Sequence, residues 1–148
     1  MNKVRKGIPA QGKDHAELLV LLKEVQNKCG YLSEELLAEL AKSLNMSLSD
    51  VYGVATFYSF LSTKPQGRNV IRICQCLPCF LKNSQSIVES VEKEIGIKPG
   101  ETTPDGKFSF ELTNCIGACD RAPAMMINHD VHSDFTPREI SQILKTRK

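Results

Sequence analysis

The stretch "NVIRICQCLPCF", Asn69 to Phe80, places three cysteines directly after a short run of β-branched residues. Such a run favours a β-strand. The next periodic segment, "SQSIVESVEKEIG" at residues 84–96, has its apolar residues at helical spacing. The pattern therefore predicts a strand that leads through cysteines into a helix.

A second strand is predicted at "KFSFELTNC", residues 107–115, where Phe108, Phe110 and Leu112 alternate with polar residues up to another cysteine. "AMMINHDVH" then indicates a strand, a turn and a short return strand. Thr136 and Glu139 mark a capped start for the last helix, "PREISQILK". The order β, α, β, β, α predicts an α+β fold with helices against a small sheet, in a thioredoxin-like layer arrangement.

The N-terminal half has a different pattern, with three helices predicted in succession. Leucines recur at helical spacing at residues 14–28 and 33–45, with Asp14 and Ser33 as N-caps. Ser47 and Asp50 have capping-box spacing at the start of "SLSDVYGVATFYSFL", residues 47–61. The apolar side chains of this third helix are expected to face the core, namely Val51, Val54, Phe57, Tyr58 and Leu61.

The sequence suggests three regions. Residues 1–13 are basic and predict a flexible, solvated tail. Residues 14–66 form the predicted helical domain, and residues 67–148 the predicted sheet domain. The Pro and Gly in "STKPQGR", residues 62–68, are typical of a linker and place the boundary near Gly67.

Composition restricts the class of protein. The chain has 148 residues, of which 41% are hydrophobic and 24% charged, as in ordinary globular proteins. A net charge of +2 indicates no broad nucleic-acid surface. No secretory h-region and no apolar stretch long enough to span a bilayer is evident, so a cytoplasmic protein without membrane insertion is expected. In that compartment, cysteines are more often ligands or redox groups than disulfides.

Five of the six cysteines lie in two groups, Cys74, Cys76 and Cys79 after the first strand, and Cys115 and Cys119 after the second. If the two strands are neighbours, both groups leave the same sheet edge and a four-thiolate site can form. Four thiolates suit zinc or an iron–sulfur cluster. The spacing of Cys76 and Cys79 is typical of a zinc knuckle, whereas the C-x4-C of Cys74 and Cys79 suits a larger [2Fe–2S] cluster.

A third possibility concerns "CLPC" alone. A C-x-x-C motif between a strand and a helix is typical of thioredoxin-like dithiol oxidoreductases, here with Cys76 and Cys79 as the redox pair. That function would leave Cys74, Cys115 and Cys119 without a role. The zinc-stapled module and the dithiol enzyme remain the alternatives to an iron–sulfur protein.

The motifs together resemble a known family. The C-x4-C at Cys74 and Cys79, followed by "CIGACDRAPAMMIN" with C-x3-C at Cys115 and Cys119, is similar to the thioredoxin-like [2Fe–2S] ferredoxins. This family includes the 24-kilodalton subunit of NADH dehydrogenase and small subunits of NAD-linked hydrogenases and formate dehydrogenases. "GETTPDGKF" and the helical "LLKEVQNKCGYL" and "AKSLNMSLSDVYGVATFYSFL" resemble it too, so the resemblance runs from about Leu18 to Leu144.

The resemblance implies one [2Fe–2S] cluster, with one iron held by Cys74 and Cys79 and the other by Cys115 and Cys119. It implies an electron-transfer subunit, without a substrate site of its own, that exchanges single electrons with a flavin (FMN) and NAD(H)-binding partner subunit. Further iron–sulfur, hydrogenase or dehydrogenase subunits are implied as well. The chain has neither G-x-G-x-x-G nor a P-loop, so nucleotide binding is assigned to the partner.

The family does not need a thiol at Cys76, so this residue is interpreted as a spectator. Cys76→Ser is expected to retain the cofactor, and Cys74→Ser to lose or damage it. Cys29 is expected to be buried as packing. The "VATFYSF" segment, residues 54–60, is a candidate contact with the partner, although helical spacing favours an intramolecular core for most of it.

Overall fold

The computed structural model describes residues 17–147. It divides into two compact units, with the division between Pro65 and Gln66. The predicted basic tail at residues 1–13 and the predicted cap Asp14 lie outside the described residues. None of the helices within residues 17–147 is both long and apolar enough to cross a bilayer.

The first unit contains three helices, α1 (Leu18–Cys29), α2 (Glu34–Leu44) and α3 (Leu48–Phe57). The Ser33 side chain accepts a hydrogen bond from the backbone N–H of Leu36, and Ser47 accepts one from Asp50. Each bond satisfies a backbone donor that the first turn of a helix leaves unpaired. The predicted caps of α2 and α3 are therefore confirmed.

The core of the first unit is built mainly from leucines. The leucine faces predicted for α1 and α2 are buried, because residues spaced by three and four lie on one side of a helix. Full burial of each such side chain contributes about 1.5–3 kcal/mol of transfer free energy. The core consists of Leu18, Leu21, Leu22, Val25, Leu32, Leu36, Leu37, Leu40, Ala41, Leu44, Val51 and Ala55.

The prediction for α3 was wrong at its aromatic residues. Val51 is buried, but Phe57 is 80% exposed and Tyr58 is 42% exposed. Phe57 lies six residues after Val51, which at about 100° per residue places it on another side of the helix. Tyr58 would return to the buried side, but the helix ends before it and its backbone is extended.

Cys29 is exposed, which contradicts its expected role in packing. It continues the spacing of the buried α1 residues, four positions after Val25. However, α1 ends at Cys29, and Gly30 follows with a φ of 87°. Cys29 is therefore the last residue of α1, at the exposed end of the helix.

The second unit is a four-stranded sheet with the order β2-β1-β3-β4. The strands are β1 (Asn69–Cys74), β2 (Phe108–Thr113), β3 (Ala124–Ile127) and β4 (Asp130–Ser133). β1 is parallel to β2 and antiparallel to β3, and β3 is antiparallel to β4. Three α-helices, α4 (Leu77–Leu81), α5 (Ser84–Ile95) and α6 (Ile140–Lys145), and two short 3-10 helices, Cys119–Arg121 and Pro137–Glu139, complete the described part of the unit.

Helices α5 and α6 contribute to the same hydrophobic core as one face of the sheet. Strand side chains alternate between the two faces, so Ile71 and Ile73 of β1 lie with Phe110 of β2 on the core face. Ile87 and Val91 of α5 belong to this core too. The predicted order β, α, β, β, α is therefore present, with α4 as an addition that the sequence pattern did not predict.

The face of β1 opposite the hydrophobic core carries a polar network. Arg72 is nearly buried, and its Nε lies 2.9 Å from Glu111 Oε2 on β2. Gln66 Nε2 donates a 2.6 Å hydrogen bond to the other carboxylate oxygen of Glu111. These contacts join β1, β2 and the segment that enters the sheet.

Gly67 lies against β2 at a distance that only glycine permits. A Cβ atom at this position would stand 2.7 Å from the carbonyl carbon of Phe108. The backbone N–H of Gly67 donates a 2.7 Å hydrogen bond to Ser109 Oγ. The entering chain is thus packed backbone to backbone on β2.

Candidate iron–sulfur site

The two cysteine groups follow neighbouring strands. Cys74 is the last residue of β1, Thr113 is the last residue of β2, and the two are paired in the parallel register. Parallel strands end at the same sheet edge, so Cys115 emerges beside the segment that follows Cys74. The predicted meeting of the two groups at one edge follows from this register.

The short helix α4 holds the third cysteine of the first group. Cys76 has an extended backbone and is the N-cap residue, and Pro78 lies in the first turn of the helix. Proline is common there because its missing N–H is not needed. Pro78 is therefore the residue in the sequence that indicates the start of α4. The helix buries Cys79, which is 1% exposed.

Cys115 and Cys119 form a close pair in the loop after β2. Their sulfur atoms are 3.1 Å apart, and the backbone N–H of Gly117 donates to Cys115 Sγ at 3.4 Å. The contacts from Cys119 and from Gly117 lower the pKa of the Cys115 thiol. The contact with Cys115, followed by desolvation, raises the pKa of Cys119. Gly117 has a φ of 88°, which favours glycine at this turn.

Cys74 and Cys79 form the buried side of the site. Burial, followed by the contact with Cys74, raises the pKa of the Cys79 thiol to about 11. The backbone N–H of Ala124, at the start of β3, lies near the Cys79 thiol and opposes this rise in its pKa. The cis peptide bond between Ala122 and Pro123 directly precedes this donor.

Contacts between thiols connect the two groups. Cys74 interacts with Cys79 and Cys76 on its own side, and with Cys115 from the second group. Cys76 is partly buried against the same cluster as Cys74 and Cys79. Burial, followed by the contact with Cys74, raises the pKa of the Cys76 thiol. The structure therefore places all five grouped cysteines together and leaves Cys29 in the other unit.

The thiols lie in apolar surroundings with an exposed rim. Ala118 and Ala124 are buried with the inner cysteines, and Ile116 and Ala122 pack against them. The large exposed side chains of α4 flank this cluster, namely Leu77, Phe80 and Leu81. No three Cys, His, Asp or Glu side chains within residues 17–147 are arranged to surround a single metal ion.

The charged residues Arg121 and Arg147 interact with other polar side chains. Arg121 is exposed and its Nε is 3.7 Å from Asp120 Oδ2. His132 is half-buried, with its Nε2 2.9 Å from a guanidinium nitrogen of Arg147. Burial, then the charge of Arg147, lower the pKa of His132.

Comparisons with known proteins agree on one family. A sequence profile of the thioredoxin-like [2Fe-2S] ferredoxins matches residues 4–148. One subunit of the NADH-quinone oxidoreductase of Salmonella typhimurium is 43% identical over 127 residues, covering 86% of this chain and 76% of that protein. The equivalent Escherichia coli protein is 42% identical over the same coverage, and that of Pseudomonas aeruginosa is 39% identical over 124 residues, covering 84% and 75%.

A solved structure supports the fold over most of the chain. An NAD+-reducing [NiFe]-hydrogenase in its H2-reduced state matches with a TM-score of 0.77 and 22% identity. The match covers 91% of this chain and 22% of the hydrogenase chain. The α+β, thioredoxin-like fold class and the [2Fe–2S] cofactor expected from the sequence are confirmed by these findings together. The chain belongs to the thioredoxin-like [2Fe–2S] ferredoxin family.

Proposed function

We propose that this chain is the electron-transfer subunit of a multi-subunit NAD(H)-linked oxidoreductase and carries one [2Fe–2S] cluster. The observation that supports this function is the arrangement of the thiols. Two pairs of cysteines leave the ends of two neighbouring parallel strands and come into contact through Cys74 and Cys115. When bound, such a cluster accepts and releases single electrons.

The donor set fits two irons that each take two protein sulfurs. Cys74 and Cys79 would hold one iron from the buried side, and Cys115 and Cys119 the other from the exposed side. All four are thiols, and [2Fe–2S] clusters take four cysteine thiolates. The Cys115 and Cys119 sulfurs lie 3.1 Å apart, so both are close enough to become ligands of one iron after a small adjustment.

The backbone around the thiols fits the same group. The N–H group of Gly117 donates to Cys115, and that of Ala124 lies near Cys79 on the other side of the site. Hydrogen bonds to cysteine sulfurs stabilise negative charge and are one determinant of reduction potential. The exposed pair, Cys115 and Cys119, gives electrons a short route to a partner at the surface.

The proposed partner is a subunit that binds flavin (FMN) and NAD(H). The curated relatives are subunits of NADH-quinone oxidoreductase, and the matching solved structure is an NAD+-reducing hydrogenase. This chain has no glycine-rich nucleotide motif of its own. We expect further iron–sulfur, hydrogenase or dehydrogenase subunits beyond the flavin subunit, in a cytoplasmic complex. Residues 14–66 and 67–148 would act as its helical and cluster domains.

The dithiol alternative is disfavoured by the environment of Cys76 and Cys79. A thioredoxin-like enzyme needs a nucleophilic thiol whose pKa is lowered. Burial is the first cause that raises the pKa of both thiols here, that of Cys79 to about 11. A measurement of the metal content distinguishes a structural zinc site from an iron–sulfur cluster.

The deciding experiment measures the cofactor directly. The full chain is purified under anaerobic conditions, and iron, sulfide and zinc are assayed on the sample used for absorption and low-temperature EPR spectra. We expect about two irons and two sulfides per chain, and a rhombic EPR signal only after dithionite reduction. A colourless protein that contains zinc, or one without metal under these conditions, would contradict the proposal.

A further inference from the structure

The parallel register extends beyond the last residue of β1. Cys74 pairs with Thr113, and the backbone N–H of Gln75 donates a 3.0 Å hydrogen bond to the carbonyl oxygen of Thr113. Cys76 keeps an extended backbone, with φ of −66° and ψ of 159°. Two residues beyond the Cys74–Thr113 pair, the Cys76 thiol lies near the backbone N–H of Cys115. In extended chain, residues two apart project to the same side, so Cys74 and Cys76 point the same way.

The Cys76 thiol also makes contacts inside the site. It lies near the Cys74 thiol and near the backbone N–H of Cys115. It packs against the buried group of Cys74, Cys79, Ala118 and Ala124. Although Cys76 is the N-cap residue of α4, its side chain makes no capping hydrogen bond. The thiol is not engaged in holding the helix.

We propose that Cys76 is a reserve cluster ligand that takes the place of Cys74. This inference rests on the proposed function and revises the interpretation of Cys76 as a spectator. In the exchange, the bond between iron and the Cys74 sulfur breaks and a bond between the same iron and the Cys76 sulfur forms. The proton of the Cys76 thiol passes to Cys74, directly or through solvent, and no oxidation state changes.

The structure favours Cys74 as the ligand that is replaced. Cys74 and Cys76 flank one residue and point to the same side of the chain, so a small rotation of the Gln75–Cys76 segment exchanges their sulfurs. Cys76 and Cys79 would then hold the iron with two residues between them, a spacing that iron–sulfur sites use. Cys79 itself is buried inside α4, which limits its movement.

The test compares four forms of the full chain, each expressed and purified under anaerobic conditions: wild type, Cys76→Ala, Cys74→Ala and the Cys74→Ala/Cys76→Ala double variant. Alanine is used because, unlike serine, it offers no ligand atom. Iron and sulfide content and the reduced EPR spectrum report the cluster. Iodoacetamide treatment followed by peptide mass mapping reports which thiols are free, with the exposed Cys29 as the reference that reacts in every form.

We expect wild type and Cys76→Ala to have the same iron content and spectrum. Cys74→Ala is expected to retain a cluster with a changed EPR spectrum, and the double variant about tenfold less iron than Cys74→Ala. Cys76 is expected to be alkylated in wild type and protected in Cys74→Ala. Cys79→Ala is the matched control, because it removes the other buried thiol of the pair, and its cluster loss should resemble that of the double variant.

Two results would overturn the inference. Equal iron content in Cys74→Ala and the double variant would show that Cys76 holds nothing, and so would a retained cluster with Cys76 still alkylated. If Cys74→Ala loses its native circular dichroism spectrum, Cys74→Val keeps an apolar side chain in the buried position and is tested in its place. Absence of a cluster from wild type would contradict the proposed function itself, so the two failures are distinguishable.

Discussion

At the scale of single residues, the site depends on backbone geometry as much as on thiols. Gly117 has a φ of 88°, in the left-handed region, and directs its N–H at Cys115 Sγ at a distance of 3.4 Å. A Cβ atom there would meet no atom within 4 Å, so any penalty for a side chain comes from the backbone conformation. The N–H donor is the contribution of this residue to the cluster environment.

We therefore expect Gly117→Ala to cost about 1–2 kcal/mol of stability, the usual penalty for a left-handed non-glycine residue. As the loop relaxes, the hydrogen bond to Cys115 weakens and the midpoint potential becomes more negative, because the reduced cluster loses stabilisation. Redox titration followed by EPR measures this shift. Gly96→Ala is the matched control, with a φ of 72° at the end of α5 and no Cβ contact within 4 Å. An equal shift in both variants would refute the role of the N–H group.

At the scale of elements, the parallel pair of β1 and β2 aligns the two thiol groups. Arg72 and Glu111 lie opposite each other in this pair and form an ion pair whose side chains are 7% and 28% exposed. Gln66 binds the second oxygen of the same carboxylate. Arg72 lies two residues before Cys74, and Glu111 lies four residues before Cys115. A change in the pairing of β1 with β2 would therefore shift the two cysteine groups relative to each other.

Glu111→Ala is expected to lower the free energy of unfolding by about 2 kcal/mol, because it removes the ion pair with the nearly buried guanidinium of Arg72 and the hydrogen bond from Gln66. Glu111→Gln keeps an oxygen that accepts from Gln66 and is expected to lose less. Urea denaturation followed by circular dichroism measures the stability, and the decay of cluster absorbance in air measures how firmly the site is held. A glutamine variant as unstable as the alanine variant would show that the negative charge, rather than the hydrogen bonds, is what matters.

At the scale of the whole molecule, the two units carry different features. The second unit, from Gln66, carries the thiols. The first unit exposes aromatic side chains at the end of α3, where Phe57 is 80% exposed and packs edge to face on Tyr58 with ring centroids 5.1 Å apart. Tyr52 and Phe60 are exposed nearby in sequence. Aromatic side chains are enriched at protein interfaces, so we expect this segment to contact the proposed flavin-bearing partner.

We expect Phe57→Ala to weaken the affinity for that partner by about tenfold or more, as truncation of an interface anchor does. The tagged chain is purified from its native cells, and the FMN and the NADH–ferricyanide activity that remain bound are measured against increasing salt washes. Val20→Ala is the control, since Val20 is 56% exposed on α1. Equal retention of FMN and activity by both variants would refute the assignment. The cluster content of each variant should match wild type, because neither residue lies in the thiol unit.

Much of the architecture was determined by local sequence. The leucine spacing of α1 and α2, the caps Ser33 and Ser47, and the alternation in β2 each act within a few residues, so they could be predicted without the fold. The C-x4-C and C-x3-C spacings indicated the cofactor for the same reason, and the family comparison confirms it. The positions of the thiols at strand ends also follow from local strand signals.

Only the tertiary structure decided which side chains meet and which stay exposed. The register of β1 with β2 brings Cys74 opposite Thr113 and Arg72 opposite Glu111, and register depends on contacts distant in sequence. Cys29 is exposed at the end of α1, although spacing alone predicted its burial. Phe57 is exposed because it lies on another side of α3 from the buried Val51. Periodicity determines the direction in which a side chain points, but the fold determines whether anything is there to cover it.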